Sequence, residues 1–326
     1  MEEVVIQTCF DPFHLSVEVY QSNCRTRSSS KDITEFYDEM RRVALYDAEN
    51  QQVSSRFKVE RILYASELNG HVVELLLDKE TGKLVVLKRI KKRAGSVVGL
   101  RTAVNREVSI AIHLNHHRNI VDFYNWTETP EEYLILMEHV AYPDYFNLRI
   151  EERNDPLYLQ PHGDIARLRA FSYDLFKGLE HMHRAKVVHL DIKPANLLLQ
   201  TSSREFPTLK LCDFGLSHFL ERDGKVQLSS RCGTEPFIAP EVRSGAYVTP
   251  AADIWSAAIF LHKLAVGFTP YSIRGWKPGN ELTFSERYWS AYKESKFPDL
   301  LSRCLSKVPE LRPTASEALA HQFFEI

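Results

Sequence analysis

The chain has 326 residues, 44% of them hydrophobic and 26% charged, in the proportions of a globular protein with material for a large core. A formal net charge of −2 removes the electrostatic case for a nucleic-acid or anionic-membrane binder, and no apolar run approaches the roughly 20 residues that span a bilayer. Five cysteines, odd in number and without a Cys-x-x-Cys pair, indicate neither a disulfide framework nor a zinc site; with no signal-peptide layout after Met1-Glu2-Glu3, they fit a cytoplasmic or nuclear compartment.

Residues 1–56 form an extension. Within it 4–10 and 15–20 have strand-like content, 22–31 is polar and basic, and 33–46 reads as a helix with Phe36, Met40 and Val43 on one face. The extension is read either as a regulatory segment with a partner of its own or as a loosely ordered leader. From Phe57 three strands are expected at 57–62, 71–77 and 84–90, the last two joined by a hairpin at 78–83. The third is apolar and closes on Lys88, which alone reads as a snorkelling strand end, as does the basic run 88–93. A helix over 102–114 places Val104, Val108 and Ala111 on one face with Glu107 among them, and an inward carboxylate needs a partner. The histidines at 113, 116 and 117 lack the further ligands of a metal site. A buried strand at 133–140 and a polar insert at 142–163 lead to a helix over 165–183, whose stripe of Ile165, Leu168, Phe171, Leu175, Leu179 and Met182 is core.

The chemistry concentrates next. In Val188-His189-Leu190-Asp191-Ile192-Lys193-Pro194-Ala195-Asn196 a carboxylate is followed by Lys at two and Asn at five residues, and a second carboxylate follows in Leu211-Cys212-Asp213-Phe214-Gly215. Each Asp or Asn alone reads as a turn former. Together they suit phosphoryl transfer, which requires a positioned hydroxyl, metal ions on the phosphates and cations spreading the developing charge. Asp191 orients the hydroxyl, Lys193 approaches the transferred group, and Asn196 with Asp213 supplies oxygen ligands to Mg²⁺. Helical segments are expected at about 252–267, 284–293, 298–305 and 315–324.

In these motifs the chain resembles the eukaryotic protein kinase family, in its serine/threonine branch, over residues 57–324. The resemblance implies an α+β, bilobal fold, with a small β-rich lobe over about 57–138 and a larger helical lobe over about 141–324. It makes Val85-Val86-Leu87-Lys88 the strand whose lysine contacts the α- and β-phosphates of ATP, with Glu107 as its partner. It further makes Val73 a nucleotide contact, Met137 the gatekeeper, the backbone of Glu138 and Val140 the adenine partners, and Leu198 the adenine floor. Thr234 would touch Asp191 and Lys193, Asp253 would hold the catalytic-loop backbone, and Glu241 would pair bidentately with Arg312.

Two departures stand out. The places of the three phosphate-loop glycines fall on Ser66, Leu68 and His71, with Gly70 offset by one, and Val86 narrows the adenine roof. Leu190 stands where most members carry Arg, which removes one receiver for a phosphate at Ser229 or Ser230 on the activation segment. The implied activity is transfer of the γ-phosphoryl of Mg-ATP to a Ser or Thr hydroxyl of a protein substrate. The alternative is a pseudokinase acting as a binding or scaffolding module.

Overall fold

The computed structural model describes residues 30–50, 52–92, 97–140, 164–200, 206–272, 282 and 284–325. The expected strands at 4–10 and 15–20 and the polar insert at 142–163 lie outside the described residues. The chain divides into two compact units, Met1–Val43 and Ala44–Ile326. In the first, helix α1 (Ser30–Arg42) occupies most of the segment read as helical; it ends on Arg41 and Arg42, cations that suit the partial negative charge of a helix C-terminus.

The second unit opens with a short ribbon, β1 (Tyr46–Asp47) and β2 (Gln52–Val53), followed by a fully antiparallel sheet of five strands. These are β3 (Phe57–Ser66), β4 (His71–Asp78), β5 (Leu84–Lys91), β6 (Phe123–Glu128) and β7 (Glu132–Glu138), in the order β3-β4-β5-β7-β6. β3 runs four residues beyond its expected end, because Tyr64, Ala65 and Ser66 pair with Val73, Val72 and His71. The β4–β5 register sets Val73 beside Lys88, and the β5–β7 register sets Val86 beside Met137.

Helix α2 (Val97–Leu114) begins five residues earlier than expected. The β-branched Val97-Val98 pair and Gly99 are weak helix formers, so local propensity does not mark its start. Val104, Val108, Ile110, Ala111 and Leu114 are buried along it, and the Asn115 side chain closes the turn to β6 with two bonds to the Phe123 backbone, at 2.8 and 2.9 Å.

The helical lobe starts with α3 (Ile165–Arg184), capped by Asp164, whose carboxylate accepts from Arg167 N at 2.9 Å. Of the expected stripe, Leu168, Phe171, Leu175, Leu179 and Met182 are buried, while Ile165 in the first turn is half-buried. Two short pairs follow: β8 (Val187–Val188), β9 (Leu197–Gln200), β10 (Thr208–Leu211) and β11 (His218–Phe219) form the ladders β8–β11 and β9–β10. After α4 (Pro240–Ser244), α5 (Ala251–Val266) is buried nearly all round, as befits a helix at the centre of a lobe.

The expected helix at 284–293 is instead α6 (Glu286–Trp289) and a 3₁₀ turn Ser290–Ser295, while α7 (Phe297–Cys304) lies close to its expected place. The expected terminal helix stops after α8 (Ala315–Leu319), where the His321 side chain caps the separate 3₁₀ turn Gln322–Phe324. Sheet lobe and helical lobe together make the α+β, bilobal architecture.

Candidate active site

The site is built outward from Asp253, near the start of α5. Its buried carboxylate accepts the amides of His189 (2.9 Å) and Leu190 (2.8 Å) and the Nε2–H of His183 (2.9 Å). Burial alone would raise this carboxyl, but His183 and the His189 amide outweigh it and hold Asp253 below the ordinary range. The loop is thereby pinned through its backbone, which leaves its side chains for chemistry. Leu190 adopts a left-handed backbone, φ +66°, an unfavoured conformation for a residue with a branched side chain that the two Asp253 bonds stabilise.

His189 joins the two motifs. Its Nδ1 accepts from Asp191 N at 3.2 Å, so Nε2 carries the proton toward the Cys212 carbonyl, 3.1 Å away. Asp213, the next residue, has φ +63° and meets Lys88 of β5, whose ammonium lies 2.9 Å from Asp213 Oδ1 and 2.6 Å from Glu107 Oε1 on α2. Burial opposes charge on Lys88, but Asp213 and Glu107 together overcome it and hold the ammonium above the usual lysine range. Lys88 in turn holds Asp213 well below the usual carboxylate range, while burial pushes Glu107 above it against the pull of Lys88. Burial likewise drives the Cys212 thiol far above its ordinary value, so this pocket cysteine is a packing residue and no nucleophile.

Both oxygens of Asp191 are engaged. Oδ2 lies 2.8 Å from Lys193 Nζ and accepts from Asn196 Nδ2 at 3.0 Å; Oδ1 accepts the Thr234 hydroxyl at 2.7 Å. Lys193 also donates to Thr234 Oγ1 at 2.8 Å. Asn196 Nδ2 donates to the Asp191 carbonyl as well, at 2.9 Å, so its amide protons face Asp191 and its carbonyl oxygen remains as an acceptor. That oxygen and the ionised Asp213 carboxylate are the hard donors that Mg²⁺ accepts alongside phosphate oxygens and water, so the residues present fit the ion.

The activation segment is fixed at several points. Gly233, φ +101°, lies so close to the Leu190 carbonyl that an added Cβ would stand 2.9 Å from it, which requires glycine there. Val226 bridges to Val248, and Ser256 of α5 donates to the Phe237 carbonyl at 2.8 Å. Glu241 meets Arg312 at 2.7 and 2.9 Å, a bidentate pair, and the fully buried guanidinium also reaches the Ser306 and Ala251 carbonyls and lies over the Trp255 ring. Ser229 and Ser230 are exposed, whereas Leu190 is buried in the core cluster.

On the sheet side, Val86 is buried, Met137 and Leu198 are half-buried, and Val140 is buried just beyond β7. The Glu138 side chain turns away to Lys210 Nζ (2.8 Å) and Asp122 N (3.0 Å), and its amide donates to the Asp122 carbonyl (2.8 Å). Lys210 and Asp122 were not singled out from the sequence. A signal was present: Lys210 stands between Leu209 and Leu211 in an apolar strand, and a buried cation demands an acid.

The hairpin tip between β3 and β4 has a different character. Gly70 (φ +70°) donates to the Ser66 carbonyl at 2.9 Å, His71 N donates to Asn69 Oδ1 at 3.0 Å, and Asn69 N lies 3.5 Å from Ser66 Oγ. The Gly70 carbonyl accepts from Lys91 N at 3.1 Å. These amides serve the turn itself and do not form an open cradle.

A protein kinase domain family model matches residues 69–324. Among curated proteins, serine/threonine-protein kinase DCLK3 of Homo sapiens is 31% identical over 282 residues, which cover 84% of this chain and 41% of that protein. The SNF1-related protein kinase catalytic subunit alpha KIN12 of Arabidopsis thaliana is 31% identical over 253 residues, 77% of this chain and 48% of the relative. Serine/threonine protein kinase OSK3 of Oryza sativa subsp. indica is 32% identical over 256 residues, 78% and 47% respectively. The chain therefore spans less than half the length of these relatives. Among the described residues, no helix is long and apolar enough to cross a membrane.

Proposed function

Since this chain belongs to the protein kinase family, in its serine/threonine branch, we propose that it transfers the γ-phosphoryl group of Mg-ATP to a Ser or Thr hydroxyl of a protein substrate. The observation that carries the reading is the closed set of contacts from Glu107 through Lys88 to Asp213, standing beside an Asp191 that Lys193 and Thr234 both engage.

Lys88, kept cationic by two acids, neutralises phosphate charge, and Glu107 fixes its direction. Asp191 accepts the proton of the attacking hydroxyl, oriented by Lys193, Asn196 and Thr234. Lys193 offers its ammonium to the transferred group as charge builds on it. Asn196 and Asp213 would hold Mg²⁺, which would supply positive charge to offset that of the phosphates. Val86, Val73 and Leu198 enclose the adenine, with the backbone of Glu138 and Val140 as its hydrogen-bonding partners.

The closed turn at 66–71 favours a second reading, a pseudokinase that binds partners without turnover, because a tip that bonds to itself offers few donors to phosphate. One experiment separates them: the purified chain with Mg-ATP and a generic acceptor, beside Asp191→Asn. The kinase reading expects transfer that this substitution lowers by about 10³-fold, the scale of losing a positioned base. Absence of both transfer and a nucleotide-induced rise in melting temperature would leave the pseudokinase.

A further inference from the structure

The stretch of activation segment that meets the catalytic loop is a turn pinned at both ends. Thr234 bonds Asp191 Oδ1 and Lys193 Nζ, at 2.7 and 2.8 Å, and the Phe237 carbonyl accepts from Ser256 of α5 at 2.8 Å. Between these anchors the Phe237 amide donates to the Thr234 carbonyl at 2.9 Å, closing a turn in which Glu235 and Pro236 are the central pair. The Cα of Glu235 is therefore one peptide unit, about 3.8 Å, from that of a residue whose hydroxyl touches Asp191. A substrate hydroxyl that reaches Asp191 brings its neighbouring side chains over this turn.

The setting of Glu235 decides which charge the turn presents. Its Oε2 accepts from Nη2 of Arg243 on α4. Arg243 is turned inward: its guanidinium lies 5.2 Å from the ring centre of Tyr271, Nη2 reaches the Tyr271 hydroxyl at 3.4 Å, and Nε is buried. Its side chain is 35% exposed, against 62% for Glu235. The arginine is thus the inner member of the pair, laid against an aromatic ring, and the carboxylate is the outer one.

An ionised carboxylate has about four acceptor sites, and Arg243 occupies one of them. Among the described residues Glu235 Oε1 accepts no hydrogen bond. The other charges at this edge are engaged: Asp191 and Lys193 lie 2.8 Å apart, and Asp253 holds His183 and the loop amides. What the turn offers to a bound chain is therefore a carboxylate.

We propose that Glu235 is the receptor for a basic side chain of the protein substrate, so that the chain selects acceptor serines or threonines with Lys or Arg beside them. This rests on the reading of the site as a protein kinase and names its substrate class. The substrate's ammonium or guanidinium takes Oε1 while Arg243 keeps Oε2. An alanine beside the acceptor cannot make this contact, and an acid there meets a like charge.

Equilibrium binding by fluorescence anisotropy tests this without turnover. The full chain is titrated into three labelled peptides of equal length, each with a central serine flanked on both sides by Lys and Arg, by Ala, or by Asp. The basic peptide is expected to bind about fivefold tighter than the alanine peptide at low ionic strength, the upper end for an exposed ion pair, with the gap closing as salt is added. Glu235→Gln, which can still accept from Arg243, should bring the basic peptide within about twofold of the alanine peptide at an unchanged melting temperature. Glu235→Lys should turn the preference toward the aspartate peptide. Equal affinity for all three peptides, binding of none, a preference of the parent chain for the aspartate peptide, or a basic preference untouched by Glu235→Gln would overturn the receptor. Phosphoryl transfer to the same peptides is recorded separately, so that basic preference without transfer contradicts the proposed activity while supporting the receptor.

Discussion

The catalytic loop and the hairpin tip at 66–71, the two regions proposed to serve the nucleotide, satisfy their polar groups in different ways. In the loop the bonds run outward to distant elements: Asp253 from α5 takes the backbone, Thr234 from the activation segment takes Asp191, and Lys88 from β5 takes Asp213. These remote anchors act beside the local bonds of Asn196 and Lys193 to Asp191 Oδ2, so that Asp191 is held from both near and far in the chain. In the tip the bonds run inward, Gly70 to Ser66 and His71 to Asn69. Long-range bonding pre-organises a site for something else, whereas short-range bonding closes a turn upon itself. The contacts expected of the proposed chemical half are therefore present, whereas the tip bonds largely to itself.

That contrast can be tested from both sides, beginning where the effect is largest. The outward-bonded half should depend on remote anchors. Glu241→Gln leaves the fully buried Arg312 without its acid, and breaking such a pair is expected to lower the unfolding free energy by about 3–5 kcal/mol, read from urea denaturation. An effect below about 1 kcal/mol would mean that the lobe does not rely on this anchor. The inward-bonded half should improve when opened. Replacing Leu68 and Asn69 together by Gly frees the His71 amide and removes a side chain from the tip, and KM for ATP should fall about fivefold with kcat unchanged, the worth of roughly one hydrogen bond. A rise in KM would show that the closed turn is the shape that holds phosphate.

The smallest effect is expected at the activation segment. Leu190 is buried in the core and the segment is tied through Gly233, Thr234 and Val226, contacts that involve no phosphate. Alanine at both Ser229 and Ser230 should leave the transfer rate within about twofold of the parent, since surface substitutions away from buried networks change little. A collapse of the rate would assign a switch to these serines.

How much of this was legible in the sequence follows the same divide. Residues that read as turn formers singly stood out by their grouping and spacing: Asp191, Lys193 and Asn196 before an apolar run, joined by an inward Glu107 on an apolar helix face. Resemblance to the kinase family brought in their long-range partners, among them Thr234, Asp253, Arg312 and Lys88. What stayed hidden depends on tertiary context. The early start of α2 at Val97 runs against the weak propensities of its first residues, and the Glu138–Lys210 pair joins strands that are 72 residues apart. The tip could be flagged as glycine-poor, but its closure rests on an Asn69 side-chain bond and on the positive φ of Gly70, neither of which composition displays.

Whether the contacts around Asp191 and Lys88 support turnover in a chain whose 66–71 tip is closed is read most directly from kcat and KM for ATP, measured at steady state on the purified chain with Mg²⁺ and an acceptor peptide. Turnover is expected at saturating ATP, with a KM toward the upper end of the usual enzyme range, about 1 mM. Nucleotide binding without turnover at any ATP concentration would contradict it.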